Sequence, residues 1–370
     1  MKYLMFIVLH FFVFQHTYGQ ITKNVLVEKY TSVYCGQCPD GAVLMNNITV
    51  NNPNVIWVSH HAGFTKDGMS IERLDTLADA FTIGTPMATV DRVSYTNGVG
   101  NVALFMSAWP SRIDTQLNKT AEVNVQVNGV YNPTTQFALV TIDATFQNAI
   151  TANGSYRMNL FVVEDSVVGT GGTFDQVNYF NNTSGHYYEN AGNPIIGYPH
   201  RHVVRKVPST TWGTPSIIPN TPIINNTYSI SYLVYLPNYY DVSKLSFVAF
   251  VTDYDENNIY ERKVLNANKS LLQDFVVNTV ETPVVIHDFG VQPNPATTFT
   301  NLVISSEEAK NIEIRITNLM GQTVYTNKNL SIQAGENRIP IDVQSISSGI
   351  YMVSILNDNT IVSKQLIIQR

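Results

Sequence analysis

At 370 residues the chain is longer than one ordinary domain, so two or three are expected. Hydrophobic residues make up 44%, enough for packed cores, while charged residues make up only 14%. Polarity comes instead from Asn, Thr and Ser, as in β-rich extracellular proteins, and the formal net charge of -6 gives no basic footprint for a nucleic-acid partner.

Lys2, the apolar run Leu4 to Phe14 and the small residue Gly19 read as a secretory signal over residues 1–19. That run is short of a bilayer span and no later segment reaches one, so the mature chain is expected to carry no transmembrane span. No cysteine sits at the expected cleavage point, so no lipoprotein anchor is expected. The compartment permits disulfides.

Asn24 to Tyr30 is Val- and Leu-rich, as a buried strand is, and leads into Cys35-Gly-Gln-Cys38. These are the two cysteines of the sequence. A C-x-x-C where a strand gives way to a helix is a thioredoxin-like redox signal. A thiol at a helix N-terminus meets unpaired N–H groups and the helix dipole, which favour the thiolate. Cys35 is therefore the expected nucleophile and Cys38 the resolving thiol. The alternatives are a fixed disulfide stapling the junction, or a metal site, which would want four ligands.

Pro39 falls in the first helical turn, where a missing N–H costs least. Val55 to Ser59 reads as a second strand ending at His60 and His61, either of which could line the thiol cleft or sit in a surface turn. Leu74, Leu77, Ala78 and Phe81 share one face of a helix over 71–81, and Ser107 to Leu117 is a closing helix. From about Ala121 strands dominate: Glu122 to Asn128, Phe137 to Phe146, Tyr156 to Val163, Tyr228 to Leu236 and Leu245 to Thr252. Residues 169–222 form a long insert rich in Gly, Asn, Pro and Tyr, of a length more often functional than accidental. It holds His186, Glu189, His200 and His202, whose spacing matches no metal signature. Asp253 to Asn258 reads as a hairpin turn, lacking the glycine and distal glutamate of a calcium loop. A linker over 279–288 precedes six strands between Asn301 and Ile368.

Two resemblances follow from particular residues. Gln292-Pro-Asn-Pro295, Leu319-Met-Gly-Gln322, Gly335 to Asp342, Gly349 to Ser354 and Lys364 to Ile368 resemble, in order and spacing, a type A sorting domain of the Bacteroidota type IX secretion system. The resemblance implies Sec export, translocation across the outer membrane by the type IX secretion machinery, and an all-β, immunoglobulin-like domain over 289–370. Val27 to Thr31 before the C-x-x-C, Thr85-Pro-Met-Ala-Thr-Val-Asp-Arg92, Ala249 to Asp253 and Val264 to Ala267 resemble the 28-kDa outer-membrane protein family of the same bacteria. That resemblance implies an α/β thioredoxin-like domain over 20–120 and an all-β sandwich over 121–278. It also implies a cis bond before Pro86, with Thr85 offering backbone hydrogen bonds to a substrate strand. Thioredoxins carry a buried acid six residues before the first cysteine; Glu28, at seven, is the candidate proton relay. Such chemistry requires a protein substrate and no soluble cofactor. The rival reading is a cell-surface binding or adhesion protein in which the insert recognises the partner and the disulfide is structural.

Overall fold

The computed structural model describes residues 21–63, 65–95, 102–148, 150–277, 289–306, 309–318, 322–357 and 360–370. The expected signal segment 1–19 and linker 279–288 lie outside the described residues, as do residues 319–321. The chain divides into two compact units on either side of Val277.

The first unit begins with β1 (Val25–Thr31), α1 (Cys38–Asn51), β2 (Val55–His61), α2 (Glu72–Phe81), β3 (Met87–Val90), β4 (Leu104–Phe105) and α3 (Trp109–Leu117). It continues with β5 (Val123–Asn132), β6 (Phe137–Phe146), β7 (Ser155–Glu164), β8 (Val203–Lys206), β9 (Thr227–Tyr235), β10 (Leu245–Tyr254), β11 (Val264–Leu271) and β12 (Val276–Val277). Eight strands form one sheet in the order β11-β10-β7-β8-β2-β1-β3-β4, and β12-β5-β6-β9 form a second. β1 and β2 run parallel, whereas β3 pairs antiparallel with β1. The segments 20–120 and 121–278 thus contribute to one sheet. They meet where Ser59 of β2 pairs with Val203 of β8 and its N–H donates to the His202 carbonyl at 2.7 Å.

Side-chain alternation along the strands decides what each face carries. Leu26, Tyr30, Ile56 and Val58 point to one face of the large sheet, where Leu74, Leu77, Ala78 and Phe81 of α2 join Phe161, Val248 and Phe250. Val25, Val27, Val55 and Trp57 point to the other, where α1 and α3 cover them with Ala42, Met45, Trp109 and Ile113. Further along that sheet Met158, Leu160, Phe247 and Ala249 pack against Val125, Val140 and Ile142 of the second sheet. β10 is buried at every position, which explains a sequence without alternation. Each large aliphatic so enclosed contributes about 1.5–3 kcal/mol. Between β10 and β11 the Asp255 carboxylate accepts the N–H groups of Asn257 and Asn258, so 253–258 turns the hairpin as expected.

The second unit holds β13 (Phe289–Gln292), β14 (Phe299–Ser306), β15 (Lys310–Asn318), β16 (Thr323–Ile332), β17 (Gly335–Asp342), β18 (Gly349–Asn357) and β19 (Thr360–Ile368). They form two sheets, β13-β14-β17 and β16-β15-β18-β19, around Leu302, Ile304, Ile314, Ile316, Val353 and Leu366. The Gln292–Pro295 segment meets the terminal strand: Asn294 Nδ2 donates to the Gln365 carbonyl at 2.7 Å and its Oδ1 accepts the Ile367 N–H at 2.8 Å.

Candidate functional site

β1 ends at Thr31, and the loop Ser32–Gln37 delivers Cys35 and Cys38, joined as a disulfide with Cα atoms 5.4 Å apart. α1 starts at Cys38 itself, with Gln37 as its N-cap, so the second sulfur, not the first, stands on the helix's opening residue. Cys35 lies just outside, its carbonyl accepting the Cys38 N–H at 3.1 Å. Cys38 is 2% exposed, Cys35 is half-buried, and Tyr34 beside it is open at 41%. The Thr85–Pro86 bond is cis. Pro86 packs under the first turn of α1, where a Cβ on Gly41 would stand 3.4 Å from the Pro86 Cβ. Thr85 remains half-buried.

The insert covers this loop. Gln176, itself buried, donates from Nε2 to the carbonyls of Val33 at 3.1 Å and Cys35 at 3.0 Å. The N–H groups of Val177 and Tyr179 donate to the carbonyls of Val33 and Gly36 at 2.8 and 3.0 Å. The Tyr179 ring lies so close over Gly36 that any Cβ there would overlap it. From the other side Asp67 accepts the Val33 N–H at 3.1 Å and lies 2.7 Å from His61 Nδ1.

Glu28 does not reach the cysteines. Even-numbered positions of β1 face α2, and the disulfide lies with α1 on the opposite side. On the α2 side Arg92 grips Glu28 with two bonds, Nε to Oε2 at 2.6 Å and Nη2 to Oε1 at 2.7 Å. Thr89 donates to Oε2 at 3.2 Å, and His60 Nε2 stands 3.2 Å from Oε1. Burial alone would raise the Glu28 pKa; the Arg92 guanidinium, with His60, overturns that and holds the carboxyl well below the carboxylate range. Glu28 is thus a structural anion, corrected from the expected proton relay. His60 shares its face, stacked on Tyr30, and burial keeps it neutral. His61 faces the other way, edge-on to His200 at 5.0 Å.

His61 and His200 line a small cavity of about 10 Å³ together with Lys29, Thr31, Cys38 and Gln176. His202 packs on Trp57, and His186 Nε2 lies 3.3 Å from Asp40 Oδ1. Glu189 accepts the Gly185 N–H at 2.8 Å. The insert histidines therefore serve different neighbours. The sequence reading does not single out Lys29, Gln176, Asp67 or Tyr179 as site residues. Lys29 alone carries a signal in the sequence, a cation inside an apolar strand on the parity of Val25 and Val27, the face that α1 covers.

Among the described residues no helix is long and apolar enough to cross a membrane. No curated protein matches the chain. HBP35 of Porphyromonas gingivalis is similar in structure, with a TM-score of 0.56 at 18% identity, over 95% of this chain and 100% of that one, a likeness of fold. A domain of the outer membrane lipoprotein Omp28 from Porphyromonas gingivalis matches at 15% identity and a TM-score of 0.25, over 44% of this chain and 93% of that one. The family model of outer membrane protein Omp28 matches residues 75–274, more than half of the chain and past both cysteines. A secretion system C-terminal sorting domain matches residues 290–369, the second unit. The chain therefore belongs to the outer membrane protein Omp28 family and, with its sorting domain for type IX export, is a protein of the outer membrane and cell surface.

Proposed function

We propose that this cell-surface protein carries out thiol–disulfide exchange on a polypeptide substrate through a thioredoxin-like domain. Cys35 attacks, Cys38 resolves, and Pro86 with Thr85 holds the substrate strand. The observation that carries the reading is the asymmetry of the pair: Cys35 is a half-buried residue beside exposed Tyr34, and Cys38 is buried as the first residue of α1. A nucleophile must be reached, and a resolving thiol must be kept from competing partners. The strand order β2-β1-β3-β4 and the packing of Pro86 under α1 support the same reading.

The second reading, a binding protein with a structural disulfide, is favoured by the hydrogen bonds that tie the insert to the Cys35 and Gly36 carbonyls. Trapping separates the two. Cys38→Ser should accumulate a mixed disulfide through Cys35, and insulin reduction should vanish in Cys35→Ser. If the wild-type chain reduces no insulin and Cys38→Ser traps nothing, the disulfide is a staple.

A further inference from the structure

Strand parity puts a cation, not an acid, beneath the resolving sulfur. Lys29 shares with Val27 the face of β1 that α1 covers, and its side chain lines the same cavity as Cys38. At about 10 Å³ the cavity has room for about one water. Lys29 is 3% exposed. An ammonium has three donors to place; Nζ finds Thr31 Oγ1 at a long 3.4 Å and otherwise stands 5.7 Å from the centre of the Trp57 ring. The other groups around the cavity are engaged. His61, from β2, is held by Asp67. From the insert, His200 Nε2 lies 2.8 Å from the Phe174 carbonyl and burial keeps that ring neutral. Arg201 Nε donates to Asp165 at 2.8 Å, and Tyr198 shares a hydroxyl contact with Tyr188 at 3.3 Å. Burial also brings Lys29 down to about 7, so a neutral amine is available near physiological pH.

We infer that Lys29 accepts the proton of Cys38 during the exchange reaction, an assignment that rests on the redox reading above. With Cys35 bonded to a substrate sulfur, the Cys38 thiol gives its proton to the neutral Lys29 amine, directly or through one water. The Cys38 thiolate then attacks the Cys35 sulfur. A Cys35–Cys38 bond forms, the Cys35–substrate bond breaks, and its electron pair leaves on the substrate thiolate. The substrate is reduced, the pair is oxidised, and the ammonium returns its proton to the departing thiolate or to solvent. In the reduced protein an ammonium–thiolate pair stabilises both charged forms, which burial would otherwise oppose.

The test uses the full mature chain with Cys35→Ser, leaving Cys38 as the lone thiol, and follows thiolate absorbance against pH. Adding Lys29→Met should raise the Cys38 midpoint by about one pH unit or more. An unchanged midpoint overturns the assignment. Should the double variant not fold, the Lys29 amine can be titrated by NMR in the wild-type chain, oxidised and reduced. Its midpoint should rise on reduction, and equal midpoints overturn the assignment. Insulin reduction by the wild type is run in parallel. An inert wild type sinks the exchange reading itself; an active one whose Cys38 titration ignores Lys29 sinks only the role of Lys29.

Discussion

Replacing Arg92 by methionine removes the charge that neutralises Glu28 and keeps much of the aliphatic stem. That stem carries the guanidinium between Phe81 and Phe250, whose ring centres lie 5.5 and 5.1 Å from it. Both partners of the pair are buried, at 1% and 0% exposure. Breaking such a pair from one side typically costs about 3–5 kcal/mol, because the remaining charge stays buried without its counter-ion. The pH dependence should also change sign. In the wild type the folded-state pKa of Glu28 lies below its ordinary value of 4.5. Its stabilising contribution is therefore present above that value and fades as pH falls through the folded-state pKa. In Arg92→Met burial acts against the carboxylate with only neutral His60 beside it, so the folded-state pKa rises above the unfolded one. The variant should then be relatively most stable at low pH and lose stability as pH climbs through the raised value. Urea unfolding between about pH 4 and about pH 7 reads both effects through the midpoint at constant slope. A loss under about 1 kcal/mol, or the same direction of pH dependence in both proteins, would refute the reading of Glu28 as a buried anion held by Arg92.

Lys29→Met should stabilise the oxidised protein near neutrality. The amine falls from 10.5 to about 7 on folding, a cost of up to about 5 kcal/mol at about 1.4 kcal/mol per pH unit. That cost is complete below the folded-state value and disappears as pH rises toward 10.5, so wild-type stability should climb over that window while the variant stays flat in urea titrations. Tyr179→Ala strips the ring from Gly36, and alkylation of Cys35 in the reduced protein should speed up several-fold with about 1 kcal/mol or less of lost stability. An unchanged rate would mean the ring does not limit access. Deleting residues 290–370 removes the sorting domain, and fractionation should find the truncated chain in the periplasm instead of at the surface.

Much of the fold was legible where a single physical signal decides it. β6 runs from Phe137 to Phe146 as its alternation predicts, because one face meets the core and the other water. The change of texture at Ala121 is real in the sequence, yet the large sheet continues across it. Strand edges pair through backbone groups that composition does not record, as between Ser59 and Val203. β4 and β8 have two and four residues, too few for any period to show. The disulfide, Pro86 and the cis bond came from a local motif and a family likeness. Distance along the chain points to Glu28, whereas the face it occupies follows from counting in twos: Glu28 and His60 go one way, Lys29 and His61 the other. Gln176 could not have been found. It lies 141 residues from Cys35, and nothing in the sequence of a loop announces which distant carbonyl its amide will meet.

The reduction potential of the Cys35–Cys38 pair in the mature wild-type chain, measured against glutathione buffers, bears most directly on the central claim. An exchange-active pair should equilibrate with glutathione at a potential above about −300 mV, and a value below that, with no reaction on the buffer's timescale, would make the disulfide a structural staple under a permanent cover.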